Sequence, residues 1–237
     1  MAKSVSEAFD SFAHALRVNT EHLIRAPELL KIDPQEAAGN LDQGLSSILN
    51  GFHSIYDAAK DDPRISFAWN REAPTATLLV IRNARHHNHA RRIRSLEVFF
   101  TRANQLRSSR EYCLVTYGAN TGGEPPLFVQ ALSWQDINEL LGMPFDATHL
   151  SAAKVATIKS YLGADVIAAH DITQKSAVPI FFDVLPLIVN AAKVALAVIE
   201  PHLEIYSMEG EGFREHFQMV TTVDTATLMF KTQTFIS

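Results

Sequence analysis

Apolar residues recur every three or four positions along the first quarter of the chain, which is the spacing of a single buried helix face. The pattern predicts one helix over residues 4–19 and another over 20–31. Asp33-Pro34 interrupts it and, because proline is tolerated in the first turn of a helix, predicts a third helix that runs to about Ala59. The apolar side chains of this third helix lie on one stripe: Leu41, Leu45, Ile48, Leu49, Phe52, Ile55 and Tyr56.

Two further helices are predicted over residues 72–87 and about 90–107, and the pattern then changes. Residues 111–117 and 127–133 are rich in β-branched and aromatic side chains, and the segment between them is full of turn-forming residues. This arrangement is typical of a two-stranded hairpin with a long loop. Ser133 is suited to cap a short helix directly after the hairpin.

Helical patterns return over residues 149–163, 164–171 and 178–200. The last segment is long enough to cross a membrane, but Asp183 and Lys193 interrupt it, and charges in the middle of a membrane helix are costly. It is therefore predicted to be a buried core helix, and no membrane partner is expected.

The C-terminal residues 217–236 carry threonines and β-branched side chains, which are typical of strands. The whole pattern predicts a mainly α fold. We expect a single helical domain over residues 1–237, with a small β-hairpin insertion at about 111–133 and a strand-like C-terminal tail. The single cysteine, Cys113, excludes an internal disulfide and suits a reducing, cytoplasmic location.

Positive charge is concentrated in one stretch, IRNARHHNHARRIR at residues 81–94, which holds three histidines and five arginines. From Arg82 to Arg110 there are eight arginines and one acid, Glu97, although the net charge of the chain is −5. Like charges at this density repel one another, so the stretch predicts an anionic partner. The planar guanidinium of arginine favours phosphate in that role.

Within this stretch, Asn83 follows Arg82 directly, and four residues separate Arg82 from His87 and six separate it from His89. An arginine, a polar residue and a histidine at this separation resemble the motif of the HEPN family. The members of that family are α-helical proteins, and many are metal-independent ribonucleases of toxin–antitoxin, abortive-infection and CRISPR systems. The resemblance covers about residues 1–110 and the later long helix. It implies a helical bundle, a homodimer that brings two Arg–His sets together, and a neutralising antitoxin or a defence partner protein.

The resemblance also implies RNA as the substrate, cleaved when its 2′-hydroxyl attacks the adjacent phosphate, with no metal and no cofactor. Arg82 is expected to bind the scissile phosphate through paired, charge-assisted hydrogen bonds. His87, or alternatively His89, is expected to act as general acid or base because histidine titrates near neutral pH. Asn83 is expected to orient the histidine or the phosphate. Four more arginines are expected to hold the RNA backbone through charge: Arg85, Arg91, Arg92 and Arg94.

Three other interpretations of the stretch stay open. The neighbouring histidines suggest a metal site, but no carboxylate lies beside them and the arginines would repel a divalent cation. A non-catalytic HEPN-like module that binds nucleic acid, a nucleotide or a protein would use the same arginines, and cleavage alone separates it from the enzyme. In a purely structural interpretation, Arg82 pairs with an acid such as Asp171 or Glu200.

Overall fold

The structure is a computed structural model, and it describes residues 4–86, 112–114, 116–117, 127–128, 130–174, 180–225 and 234–236. Within these residues the protein is mainly helical and has short antiparallel strand pairs, so the predicted fold class is confirmed. The helix predicted over about residues 90–107 lies outside the described residues, as do most of the residues of the arginine-rich stretch.

Two long helices, α1 (Val5–Ile32) and α2 (Pro34–Asp61), form an antiparallel hairpin and pack along its length. α1 begins with a capping box: the Ser4 hydroxyl accepts a hydrogen bond from the Glu7 N–H, and the Glu7 carboxylate accepts one from the Ser4 N–H. Asp33 alone separates the two helices, and its N–H donates to the carbonyl of Leu29 at 2.7 Å. The Asp33-Pro34 boundary is therefore confirmed.

The predicted interruption between residues 19 and 20 was wrong, because α1 is continuous through this point. Asn19 is buried, and its side-chain oxygen accepts a hydrogen bond from the Gln130 amide at 2.5 Å. Thr20 donates its hydroxyl to the Leu16 carbonyl at 2.9 Å, a bond that leaves the helix intact. Both polar residues are accommodated inside the helix and do not end it.

The other helices of the described residues are shorter, and most agree with the predicted segments. They are α3 (Ala73–His86), α4 (Trp134–Leu141), α5 (Phe145–Thr148), α6 (Ala152–Tyr161), α7 (Ala164–Gln174), α8 (Leu185–Ile199) and α9 (Met208–Met219), with a 3₁₀ turn at Glu200–His202 after α8. The hydroxyl of Ser133 caps α4 by accepting from the Asp136 N–H, as predicted. α3 packs against α2, α6 and α8, and this contact holds the centre of the core.

Short strands within the described residues form three antiparallel pairs. They are β1 (Tyr112–Leu114) with β6 (Thr234–Ile236), β2 (Thr116–Tyr117) with β3 (Leu127–Phe128), and β4 (Ala131–Ser133) with β5 (Phe181–Asp183). The β2–β3 pair confirms the predicted hairpin, with Thr116 opposite Phe128. The outer parts of the predicted hairpin pair elsewhere, since β1 lies beside β6 and β4 beside β5.

The segment predicted as one helix over residues 178–200 begins instead with strand β5. α8 starts only at Leu185, where the N–H of that residue donates to the Asp183 carboxylate at 3.0 Å, and Pro186 occupies the first turn. The segment Leu185–His202 has the length and apolar character of a membrane span. Its side chains Leu187, Ile188 and others lie in the core, which confirms the predicted buried helix.

The prediction for the C-terminal segment was wrong at its start, because Met208–Met219 form helix α9, which overlaps the strand-like segment expected from residue 217. The Ser207 hydroxyl accepts from the Gly210 N–H at 2.9 Å and donates to the Asp10 carboxylate at 2.6 Å, which caps α9 against α1. Phe217 is buried, and its ring centroid lies 6.4 Å from that of Phe12. The predicted strand is confirmed at Thr234–Ile236, and residues 226–233 of the prediction lie outside the described residues.

Candidate functional site

The arginine-rich stretch enters the described structure at the C-terminal end of α3. Arg82, Asn83 and Arg85 lie on the last two turns of that helix, which ends at His86. The other predicted site residues, His87, His89, Arg91, Arg92 and Arg94, lie outside the described residues. The structure therefore locates Arg82, Asn83 and Arg85, the first three residues of the predicted site.

Two side-chain amides hold the guanidinium of Arg82. Its Nε donates to Oδ1 of Asn50 on α2 at 3.3 Å, and its Nη1 donates to Oδ1 of Asn83 at 3.1 Å. Arg82 is partly buried, and burial lowers the pKa of its guanidinium while the charge of Asp57 acts in the opposite direction. Because arginine stays protonated throughout the physiological range, the site keeps a full positive charge. Asn83 thus positions Arg82.

A histidine and a carboxylate of α2, His53 and Asp57, interact electrostatically with this arginine. The Nδ1 atom of His53 lies 2.9 Å from Oδ2 of Asp57, one helical turn further along α2. The ring of Tyr56 meets the His53 ring edge-on, with the centroids 5.5 Å apart. The imidazole is therefore fixed from two sides, by a hydrogen bond at one nitrogen and by an aromatic ring.

The pKa of His53 is lowered from 6.5, first by burial and then by the positive charge of Arg82. Asp57 raises this pKa through its charge and its hydrogen bond but does not outweigh those effects, and His86 lowers it slightly. The lowered pKa favours the neutral form of the His53 imidazole at pH 7. Since a carboxylate can only accept, Nδ1 carries the hydrogen and Nε2 keeps a lone pair, which is the form that acts as a general base.

Sequence reasoning missed Asn50, His53 and Asp57. Their spacing of three and four residues places them along one face of α2, and that periodicity is present in the sequence. Nothing in the sequence connects this face with Arg82, which lies about thirty residues later and meets it only when α3 packs on α2.

Arg85 has different surroundings from Arg82. Its Nη2 lies 2.6 Å from Oδ1 of Asp42 and 3.4 Å from the Ser46 hydroxyl, and only 11% of its side chain is exposed. The guanidinium of Arg85, which was predicted to hold the RNA backbone, is therefore paired with a carboxylate in an ion pair between α2 and α3. This contact fixes the packing of the two helices.

The structural interpretation requires an ion pair of Arg82, and the metal interpretation requires a cluster of ligating side chains. Within the described parts of the chain Arg82 forms no ion pair, and Glu200 accepts a hydrogen bond from Gln218. The Asp171 side chain lies outside the described residues. No cluster of three or more His, Cys, Asp or Glu side chains suited to a metal ion occurs among the residues that the structure describes.

Comparison with known protein families, with curated proteins and with solved structures finds no match to this chain.

Proposed function

We propose that this protein is a metal-independent endoribonuclease of the HEPN type, in which α2 and α3 supply the catalytic groups. The proposal is carried by one observation. A partly buried arginine is held by two neutral amides, and its charge acts on a nearby histidine whose Nδ1 is bound to a carboxylate and whose pKa is lowered. An arginine without a carboxylate partner among the described residues retains its attraction for a phosphate, and the histidine can move a proton.

In this proposal Arg82 binds the non-bridging oxygens of the scissile phosphate and stabilises their charge as the 2′-oxygen attacks phosphorus. Nε2 of His53 takes the proton of the attacking 2′-hydroxyl. As the 2′-oxygen–phosphorus bond forms, the bond from phosphorus to the 5′-oxygen breaks and the leaving oxygen takes up a proton. The products are a 2′,3′-cyclic phosphate and a 5′-hydroxyl, and no electron transfer or co-reactant is needed.

The proton for the leaving oxygen is assigned to His87, with His89 as the alternative, as the sequence motif implies. In the sequence both follow within three residues of α3 (Ala73–His86), whose last two turns carry Arg82. Arg91, Arg92 and Arg94 keep their proposed role as contacts for the RNA backbone. A cytoplasmic homodimer and a neutralising or defence partner protein belong to the same proposal.

The test incubates purified protein with end-labelled RNA in a chelator and compares wild type with Arg82→Ala, His53→Ala, His87→Ala and His89→Ala. We expect cleavage by wild type, products with a cyclic phosphate, no cleavage of DNA, and losses of at least about 100-fold in Arg82→Ala and His53→Ala. The exposed His14 on α1 provides the matched control, and His14→Ala should cleave like wild type.

Equal cleavage by wild type and Arg82→Ala would contradict the proposal. RNA binding without cleavage by wild type, on every RNA tried, would instead support the non-catalytic module. Light scattering on the same samples tests the homodimer, which a monomer at assay concentration would contradict.

A further inference from the structure

A cavity of about 760 Å³ opens beside α3, next to the proposed cleavage site. This volume lies within the range of pockets that bind small molecules. Val80 and Ala84 of α3, Leu140 of α4 and Leu150 form its apolar part. The polar groups on its lining come from α3, α5 and α6, so the cavity combines an apolar wall with a polar edge.

Lys154 supplies a positive charge to this cavity. Its Nζ donates to Oδ1 of Asn70 at 2.6 Å, and within the described residues it forms no ion pair. Lys154 is partly buried, and burial lowers its pKa. An ammonium group has three hydrogens to donate, and a neutral amide takes only one of them without balancing the charge. The cavity is therefore electrostatically suited to an anion, although the exposed carboxylate of Asp146 also lies on its lining.

His149 adds a second polar group and an unusual backbone. It is the single non-glycine residue with positive φ, at 55°, among the residues that the structure describes. Its N–H donates to the Phe145 carbonyl at 2.6 Å, which closes α5 and fixes the residue on the lining of the cavity. Left-handed backbone at a side chain other than glycine costs energy, and it occurs preferentially at binding sites.

Asn83 connects the cavity with Arg82. Its side-chain oxygen accepts the hydrogen bond from Arg82, and the same residue lines the cavity. We infer that the cavity binds the nucleotide of the RNA adjacent to the scissile phosphate, with Lys154 contacting a phosphate of that nucleotide and the apolar wall covering its base. This inference rests on the proposed function for the identity of the ligand, while its residues, apart from Asn83, are separate from the catalytic groups.

The test measures binding of each of the four nucleoside 5′-monophosphates by titration calorimetry in a chelator, together with inorganic phosphate. Lys154→Gln should weaken nucleotide binding about tenfold or more, since it removes a charge-assisted hydrogen bond. Lys159→Gln is the matched control, because Lys159 lies on the same helix without lining the cavity, and it should bind like wild type. Inorganic phosphate should bind more weakly than the nucleotides, because it does not reach the apolar wall.

Equal binding by wild type and Lys154→Gln would overturn the inference, and so would phosphate binding as tight as nucleotide binding. His149→Asn is the second variant, since asparagine tolerates the left-handed backbone, and it decides the question if Lys154→Gln does not fold. We expect weaker nucleotide binding in this variant as well, and unchanged binding in a folded His149→Asn would count against the site. Wild type that cleaves RNA but binds no nucleotide overturns the cavity inference alone. Nucleotide binding that depends on Lys154 in a protein that cleaves no RNA overturns only the proposed function.

Discussion

Arg82 and Arg85 lie three residues apart on the same helix and both contact α2, but their partners on that helix differ in charge. Arg85 meets the carboxylate of Asp42 at 2.6 Å, and 11% of its side chain is exposed. Arg82 meets the amide oxygens of Asn50 and Asn83 at 3.3 Å and 3.1 Å. One arginine is paired with an opposite charge and the other is held by neutral groups.

Under the proposed function, this difference separates Arg85, which joins two helices, from Arg82, which would bind a phosphate. A carboxylate neutralises the guanidinium at the cost of its affinity for a further anion, whereas an amide fixes its orientation and leaves the charge in place. In the sequence both residues belong to one basic stretch, and only the motif resemblance sets Arg82 apart from Arg85. The side chain that faces each of them on α2 adds a physical difference between the two.

The largest expected effect is a difference in RNA cleavage between two variants in which arginine is exchanged for lysine. The exchange preserves the positive charge but removes the planar guanidinium. Arg82→Lys should lower RNA cleavage by about 100-fold. Lysine has no planar guanidinium that could bind the two amide oxygens and, at the same time, make paired hydrogen bonds to the phosphate. Arg85→Lys should cleave within about threefold of wild type, since an ammonium can still pair with Asp42. The measurement is the initial rate of cleavage of one labelled RNA. Equal losses in both variants would remove the distinction between the two arginines.

The arginine-rich stretch could be found from sequence because its signal is local. Arg82 and Asn83 are adjacent, and a run of charge needs no knowledge of the fold. Asn50, His53 and Asp57 escaped notice because their relevance depends on how α3 packs on α2. A polar face on an amphipathic helix is normally solvent-exposed, and nothing in its periodicity indicates which later residue will cover it.

The same division applies to the fold. The helical stripes of α1, α2 and α3 and the β2–β3 hairpin follow from short-range patterns, and these predictions were confirmed apart from the break expected within α1. The β1–β6 and β4–β5 pairs join residues far apart in the chain, so no local pattern could indicate them. In α9, Ser207 and Asp10 together form the helix cap, and Asp10 belongs to the first helix of the chain. The start of α9 contains two glycines, and its own sequence does not show that Asp10 will complete the cap.

The second prediction concerns stability, where the larger effect is expected at the partner of Arg85 and the smaller one at the partner of Arg82. Asp42→Ala should lower the free energy of unfolding by about 1–2 kcal/mol, because it leaves the largely buried guanidinium of Arg85 unpaired while the partial exposure of Asp42 reduces the loss. Asn50→Ala is the matched change eight residues along the same helix. It should cost less than about 1 kcal/mol, because Asn50 is exposed and its bond to Arg82 is long. Urea denaturation measures both, and a larger loss in Asn50→Ala would contradict the assignment of Arg85 as the structural arginine.

The smallest expected effect is a change in the titration of His53, and its direction follows from the neighbouring charges. In wild type the pKa of His53 should lie below 6.5, because burial and the charge of Arg82 both oppose protonation. Arg82→Gln removes the positive charge and should raise this pKa, whereas Asp57→Asn removes the group that favours protonation and should lower it further. His53 must be neutral to accept a proton, so cleavage should decline as the pH falls through its pKa. In Arg82→Gln the residual cleavage should begin to decline at a higher pH than in wild type. The pKa is read from the ring-proton shifts of His53 in NMR spectra, assigned by their loss in His53→Ala. A shift in the same direction in both variants would show that Arg82 and Asp57 do not act on His53 through their charges.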